Sequence, residues 1–330
     1  MKDQILAARD RGEFYRLDGM RLVSPSGHTL HADFHRGPND EESYVAPRLF
    51  LDATIQQHAI ECGACFRQAE VKEPLLEDGR VAGVVARENG TTRTYRAPVV
   101  IGADGVTSVI MRHLRPEAEQ HRDTHRAVAL RAYVEGLELF PHKVEFFLYD
   151  EVLPGYAWIF PARDKVANIG LGMRLDVFRR HKRNLNQMLH DFLAMPDIRA
   201  RLTNGHTLRD VATWQLNFGS QERLQHTFDG ALLVGDAAGF INPLTGGGIH
   251  NALISGVLAA QTVDEALRRG DVSRESLCVY EQRCDEAMWS GMRRSFFYQR
   301  FLLNYPTLVD WLIRFLGRHG GVAKTFVSKL

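Results

Sequence analysis

The segment Leu233-Val234-Gly235-Asp236-Ala237-Ala238-Gly239, followed by Asn242-Pro243-Leu244-Thr245-Gly246-Gly247-Gly248-Ile249, holds the residue types best suited to chemistry. An apolar run ends there at a glycine and an aspartate. A carboxylate so placed can accept hydrogen bonds from the hydroxyls of a sugar or sugar alcohol. The successive glycines Gly246, Gly247 and Gly248 let backbone approach a flat ligand closely. They lead directly into a helical period, Ile249, Ala252, Leu253, Gly256, Ala260, Val263 and Leu267. Free N–H groups and the positive end of the helix dipole then face the ligand, where an anionic or electron-rich ring edge is stabilised. A tight strand-to-helix turn is the plain alternative, and triple glycine together with Gly-Asp at a strand end argues against it.

Other segments carry weaker chemistry. Val99-Val100-Ile101-Gly102-Ala103-Asp104-Gly105-Val106-Thr107-Ser108 is a second apolar run ending in small residues and a carboxylate. Arg48, with Leu51 and Asp52, stands at the start of a helix that Pro47 opens. Tyr156, Trp158 and Phe160 alternate along Pro154-Gly155-Tyr156-Ala157-Trp158-Ile159-Phe160-Pro161, so they share one face of a strand. They form an aromatic wall suited to an apolar chain, with core packing as the alternative. Cys62-Gly63-Ala64-Cys65 has redox spacing but ends a helix, where no thiolate is stabilised. No Cys or His set has zinc spacing, so no metal is expected. His-Glu-x-x-His and Gly-x-Ser-x-Gly are both absent, so a hydrolase has no motif behind it.

These residues sit in a chain of 330 with 45% apolar and 25% charged residues, ordinary globular composition of about two domains. Net charge is +1, which gives no field for nucleic acid, and Arg179-Arg180-His181-Lys182-Arg183 reads as a solvated helix face. Four cysteines are too few for a disulfide scaffold and point to the cytoplasm. No signal peptide and no membrane-spanning run is expected. Residues 291–330 place seven Lys/Arg (293, 294, 300, 314, 318, 324 and 329) against Asp310, among many aromatic and aliphatic side chains. Such a segment suits peripheral contact with a membrane surface, or else docks on the core.

The positioning elements follow from pattern. Turn signals at Ser24–Gly27, Glu77-Asp78-Gly79 and Glu88-Asn89-Gly90 predict hairpins, with an antiparallel meander of strands over 66–71, 80–87, 92–95 and 99–101. A second strand-rich block covers 127–134, 144–149, 156–160 and 166–173, then a helix over 176–193 and a strand over 211–218. A buried strand, 231–234, precedes the glycine-rich loop and its helix, and the chain after 273 is helical.

The Gly-Asp and triple-glycine segment is similar to the second flavin motif of FAD-dependent monooxygenases and reductases. Residues 99–108 resemble the Gly-Ala-Asp-Gly motif of that superfamily, and Arg48 resembles the arginine that lines its flavin pocket. The Tyr-x-Trp-x-Phe-Pro segment, followed by Ala167-Asn168-Ile169-Gly170-Leu171-Gly172, resembles the geranylgeranyl reductase family. The resemblance implies an α/β (α+β) fold: a Rossmann-like three-layer FAD domain over 1–120 and 221–272, an inserted antiparallel substrate domain over 121–220, and a helical segment over 273–330. FAD contacts are implied for Arg48, Asp104, Gly105, Gly235, Asp236, Pro243, Gly246, Gly247, Gly248 and Ile249, and lipid contacts for Tyr156, Trp158 and Phe160. FAD, reduced by NAD(P)H or another donor, would saturate C=C bonds of an isoprenoid or polyprenyl lipid. Tyr156 and ordered water are the candidate proton sources. The family opens with a Gly-x-Gly-x-x-Gly βαβ unit that this sequence lacks, which exposes a sheet edge and sets flavin binding in question. A monooxygenase or halogenase, or an inactive paralogue that binds lipid alone, are the competing readings. Halogenation needs a lysine near the flavin, and no such motif is present.

Overall fold

The computed structural model describes residues 2–34, 42–115, 122–222 and 224–318. After a first helix, α1 (Lys2–Asp10), strand β1 (Tyr15–Leu17) leads into a hairpin of β2 (Gly19–Val23) and β3 (Thr29–Asp33) around the expected Ser24–Gly27 turn. Strand β4 (Ser43–Val45) returns to pair with β1. Helix α2 (Arg48–Glu61) starts immediately behind Pro47, whose φ of −60° is already set for the turn.

The meander is β5 (Glu70–Glu77), β6 (Arg80–Glu88) and β7 (Thr91–Arg96). Asp78-Gly79 and Asn89-Gly90 turn its corners with positive φ at all four residues, the geometry that twists with the strands. Two details differ from the sequence reading. The first strand covers 70–77 rather than 66–71, and it tolerates Pro74 because it lies at an edge of this sheet. The segment expected as its fourth strand, β8 (Val100–Gly102), leaves the meander altogether. It pairs in parallel with β15 (Ala231–Leu233), which is flanked on its other side by β14 (Thr227–Phe228). Among the described residues β8 pairs with β15 alone, and its Ile101 is 42% exposed. Helix α3 (Val109–Leu114) follows β8.

A seven-stranded sheet occupies the middle of the chain, in the order β13-β9-β12-β11-β10-β2-β3. Its strands are β9 (Arg126–Leu137), β10 (Lys143–Phe147), β11 (Tyr156–Arg163), β12 (Val166–Arg174) and β13 (Leu202–Asn217), with the β2–β3 hairpin added through a parallel β10–β2 pair. The hairpin that the sequence reading grouped with the flavin segments is therefore hydrogen-bonded into the other sheet. Strand β13 begins at 202 rather than 211. The helix expected over 176–193 is two, α4 (Leu175–Arg180) and α5 (Leu185–Ala194), because Lys182 takes φ +48° between them. Helix α6 (Pro196–Arg199) completes this cover.

Alternation gives the sheet two different faces. Leu130, Ala132, Val134, Ile159, Ile169 and Leu171 bury one face against Leu185, Leu189 and Phe192 of α5 and Ile198 of α6. On the other face small residues stand in cross-strand rows, with Ala129 opposite Gly172 and Gly172 opposite Tyr156. One end of the sheet is pinned by charge. Glu145, 1% exposed, receives Arg21 Nη1 at 2.7 Å and Arg201 Nη1 and Nη2 at 2.9 and 2.5 Å. Both guanidinium groups lie over the Phe140 ring, at 4.7 and 4.8 Å from its centroid.

Helices α7 (Gly235–Ala238) and α8 (Ile249–Arg269) follow β15, then α9 (Arg274–Leu277), α10 (Val279–Cys284), a π-helical turn at Asp285–Trp289, α11 (Ser290–Phe301) and α12 (Pro306–Arg318). The inner face of α8 is small, with Ser255, Ala259, Thr262 and Ala266 buried, and α10 packs against this helix. The buried Tyr280 hydroxyl donates to the Leu233 carbonyl at 2.8 Å and joins α10 to the same strand.

Candidate active site

The parallel pairing of β8 and β15 sets their carboxyl ends side by side, with Gly102 opposite Leu233. Ligands of α/β sheets collect at such ends. Asp104 and Asp236 both leave the sheet there and take different roles. Asp104 spends its carboxylate on the start of α3, accepting from the Ser108 hydroxyl and from the Val109 N–H at 2.7 Å. The Asp-Ser spacing that resembles a flavin motif is thus also a helix cap. Gly105 turns the chain at φ +75°.

Asp236 stays half-buried on α7, and no ion pair holds it among the described residues. Burial raises its pKa above the ordinary carboxylate range, with the charge of Arg48 acting the other way. Arg48 itself is exposed and chelates Asp52, with Nε and Nη2 each 3.0 Å from a carboxylate oxygen. Gly235, at φ +54°, donates its N–H to Ser255 Oγ at 3.0 Å and lies against Ala252.

The loop from Asn242 to Gly248 is held from several sides. Asn242 Oδ1 accepts from the N–H groups of Leu244 and Thr245 at 2.9 and 3.1 Å, and its amide donates to Ser295 on α11. Gln299 Nε2 donates to the Pro243 carbonyl at 2.6 Å, and the Tyr156 hydroxyl donates to the Thr245 carbonyl. Two glycines in the loop stand close against side chains of the site. A Cβ on Gly248 would sit 2.9 Å from Asp236 Oδ1, and one on Gly246, at φ +65°, would sit 3.0 Å from the Tyr156 hydroxyl. Gly248 begins α8 without any side-chain cap, so the helix presents bare N–H groups beside Asp236.

Tyr156, Trp158 and Phe160 share one face of β11 as expected, their centroids 6.0 and 6.1 Å apart in sequence. The Trp158 indole N–H donates to Asn168 Oδ1 at 2.9 Å, and its ring lies on Gly170, where any Cβ would collide with it. Phe146 of β10 meets Tyr156 and Phe160 edge-on at 5.4 and 5.5 Å. These rings, the small floor of Ala127, Ala129 and Gly172, and the roof from Pro243 to Gly247 enclose a cavity of about 300 Å³. A second chamber of about 260 Å³ shares Phe146, Tyr156, Leu244 and Thr245 with it and continues between the β2–β3 hairpin and α11–α12. Burial pushes the Tyr156 hydroxyl up to about 12. Phe146, Gln299 and the wall of the second chamber were not legible as site residues. For Phe146 the strand alternation beside the inward Phe147 was the available signal.

The donor set fits part of FAD. Asp236, the two closely placed glycines and the uncapped α8 suit a ribityl chain and the edge of a flavin ring. The sequence holds no Gly-x-Gly-x-x-Gly for a diphosphate.

Residues 18–295 match the FAD binding domain family. The chain belongs to that family. Among the proteins it resembles are several named digeranylgeranylglycerophospholipid reductase. The digeranylgeranylglycerophospholipid reductase of Methanosphaerula palustris is 34% identical over 270 residues, which are 79% of this chain and 64% of that protein. The chain therefore spans under two thirds of that relative's length. A geranylgeranyl bacteriochlorophyll reductase-like structure from Thermoplasma acidophilum superposes with a TM-score of 0.84 at 26% identity, covering 95% of this chain and 79% of the other. The flavin-dependent brominase Bmp2, in a triple-mutant structure, shares the fold with a TM-score of 0.71 at 18% identity over 96% of this chain and 81% of its own.

Proposed function

We propose that the protein is an FAD-dependent reductase that saturates C=C bonds in the chain of an isoprenoid lipid, taking electrons from NAD(P)H or another donor. The observation that carries this is the shared boundary of the two sites. The Pro243–Gly247 loop, which follows Asp236 and leads into α8, is also the roof of the aromatic cavity. In this reading Asp236 holds the ribityl chain, and the backbone from Gly246 to Ile249 stabilises negative charge on the flavin ring. Arg48 adds a positive charge to that end of the site, while Asp104 and Gly105 shape the neighbouring turn. Reduced FAD supplies hydride when bound. Tyr156, Trp158, Phe160 and Phe146 then orient the lipid chain and keep water off it. The Tyr156 proton is committed to the Thr245 carbonyl, which makes this side chain a positioning group for the loop rather than a proton source.

Two further observations support the reading. The relatives named as reductases act on an isoprenoid glycerolipid, and a chain of linked isoprene units suits two adjoining apolar chambers. No lysine is among the residues lining the aromatic cavity, which leaves the halogenase alternative without its reactive group. No helix of the described residues is long and apolar enough to cross a membrane.

The test is a titration of the purified chain with FAD, followed by a geranylgeranyl glyceryl ether, reading the visible flavin spectrum. Stoichiometric FAD binding and a second spectral change on adding the ether are expected. Ala129→Trp, which fills the cavity floor, should keep the first change and lose the second. An ether response equal in both proteins, or none in either, refutes the assignment of the cavity.

A further inference from the structure

The outer sides of α11 and α12 carry a feature that the chemistry above does not use. The inner sides are ordinary core, with Leu303, Val309, Ile313 and Leu316 buried around the second chamber. Facing outward, Phe297, Phe301 and Trp311 are 54, 57 and 60% exposed. They are paired with one another or with neighbours in full view of water: Phe297 and Phe301 have centroids 4.3 Å apart, and Trp311 stacks on Phe315 at 5.4 Å and 12°. Large aromatic groups displayed in clusters mark a surface that is covered in use.

Charge identifies the cover. Residues 290–318 contain five arginines, Arg293, Arg294, Arg300, Arg314 and Arg318, and one acid, Asp310. Asp310 is turned away from this surface, accepting from the Ser24 hydroxyl and from the Ser26 N–H at 3.0 Å. On α12, Trp311, Arg314, Phe315 and Arg318 recur at helical spacing along one side. Arg293 reaches Glu222 at 3.9 Å in an exposed pair. Rings interleaved with arginine in such excess over acid suit the headgroup layer of an anionic bilayer. A second copy of the chain would bring two predominantly cationic faces together. Lys324 and Lys329, part of the same basic count in the sequence, lie outside the described residues.

Position links this surface to the cavity. Tyr298, 40% exposed on α11, is also a wall of the second chamber, and Leu302 and Leu312 line that chamber beside the exposed rings. We propose that the outer faces of α11 and α12 dock the protein on an anionic membrane surface and hold the mouth of the second chamber against the lipid. The inference rests on the lipid-reductase reading for its purpose, and its test is independent of flavin and turnover.

The experiment is flotation of the full chain with vesicles of phosphatidylcholine alone and of phosphatidylcholine with phosphatidylglycerol. Binding to the anionic vesicles, weakened by salt, is expected. Each arginine near such a surface is worth about fivefold in partitioning, so Arg314→Glu/Arg318→Glu should lose on the order of a hundredfold. Trp311→Ser/Phe315→Ser should lose at least about tenfold, through apolar contact. All four positions are exposed, and unchanged thermal melts confirm that the variants are folded. Failure of the parent chain to float with anionic vesicles overturns the proposal. So does equal flotation of the charge-reversed variant, or a dimer of the parent that the aromatic variant abolishes. Vesicle binding without any FAD response would instead count against the reductase reading alone.

Discussion

Replacing Glu145 by glutamine tests how the cavity is held in shape. The carboxylate lies between Arg21 and Arg201 with three contacts of 2.5–2.9 Å and almost no exposure. The amide keeps the volume and removes the charge, leaving two guanidinium groups facing each other across a buried neutral group. Breaking a buried ion pair in this way costs about 3–5 kcal/mol. Asp197 offsets part of that, since it also reaches Arg21 at 3.0 Å, but it is 46% exposed and screened. At roughly 2 °C per kcal/mol for a chain of this size, the melting temperature should fall by about 6–10 °C. Far-UV circular dichroism on heating, with a urea titration beside it, reads both numbers. Arg21→Met/Glu145→Leu/Arg201→Met, which replaces the whole cluster with apolar groups, should recover much of the loss. A loss below about 1 kcal/mol for Glu145→Gln, or a triple variant no better than the single one, refutes the argument. The neighbouring Phe146 gives a second readout. It belongs to both chambers, so apolar ligands should bind the single variant more weakly.

Three further outcomes are expected. Asp236→Asn should melt higher than the parent at neutral pH. A folded-state pKa raised by burial favours the protonated acid, so the parent loses stability as pH rises through that pKa, and the gap should close below about pH 4; melts across pH that show the reverse order would count against it, while FAD affinity falls in either case. Gly248→Val places a side chain where a Cβ already lies 2.9 Å from Asp236 Oδ1, and should weaken FAD at least about tenfold in a spectral titration without lowering the melting temperature comparably. Tyr156→Phe removes the donor to the Thr245 carbonyl and should cost about 0.5–1.5 kcal/mol in a chemical melt, together with weaker flavin binding.

Much of the local geometry of the candidate site was legible because its signals are local. Glycines at 235 and 246 take the positive φ that their positions demand, and alternation alone put Tyr156, Trp158 and Phe160 on one face. What escaped were pairings between distant segments. Nothing near residue 100 says that β8 prefers β15, more than a hundred residues on, to the adjacent meander. The parallel match of β2 with β10 is of the same kind, and it makes the first hairpin a wall of the second chamber. The break between α4 and α5 was hidden because Val177, Leu185, Leu189 and Phe192 keep the apolar face going. Asp104 shows a different ambiguity, since one spacing serves a cap and a ligand equally well.

Among the described residues β8 pairs with β15 alone, and its other edge bears on how this protein behaves at the bench. Ile101 stands on that edge, and Ile249, Leu253 and Val257 make an exposed stripe along the first half of α8. Net charge of +1 provides almost no mutual repulsion between molecules. Sticky contact between two copies scales with the square of concentration, so dilution is protective out of proportion to its extent.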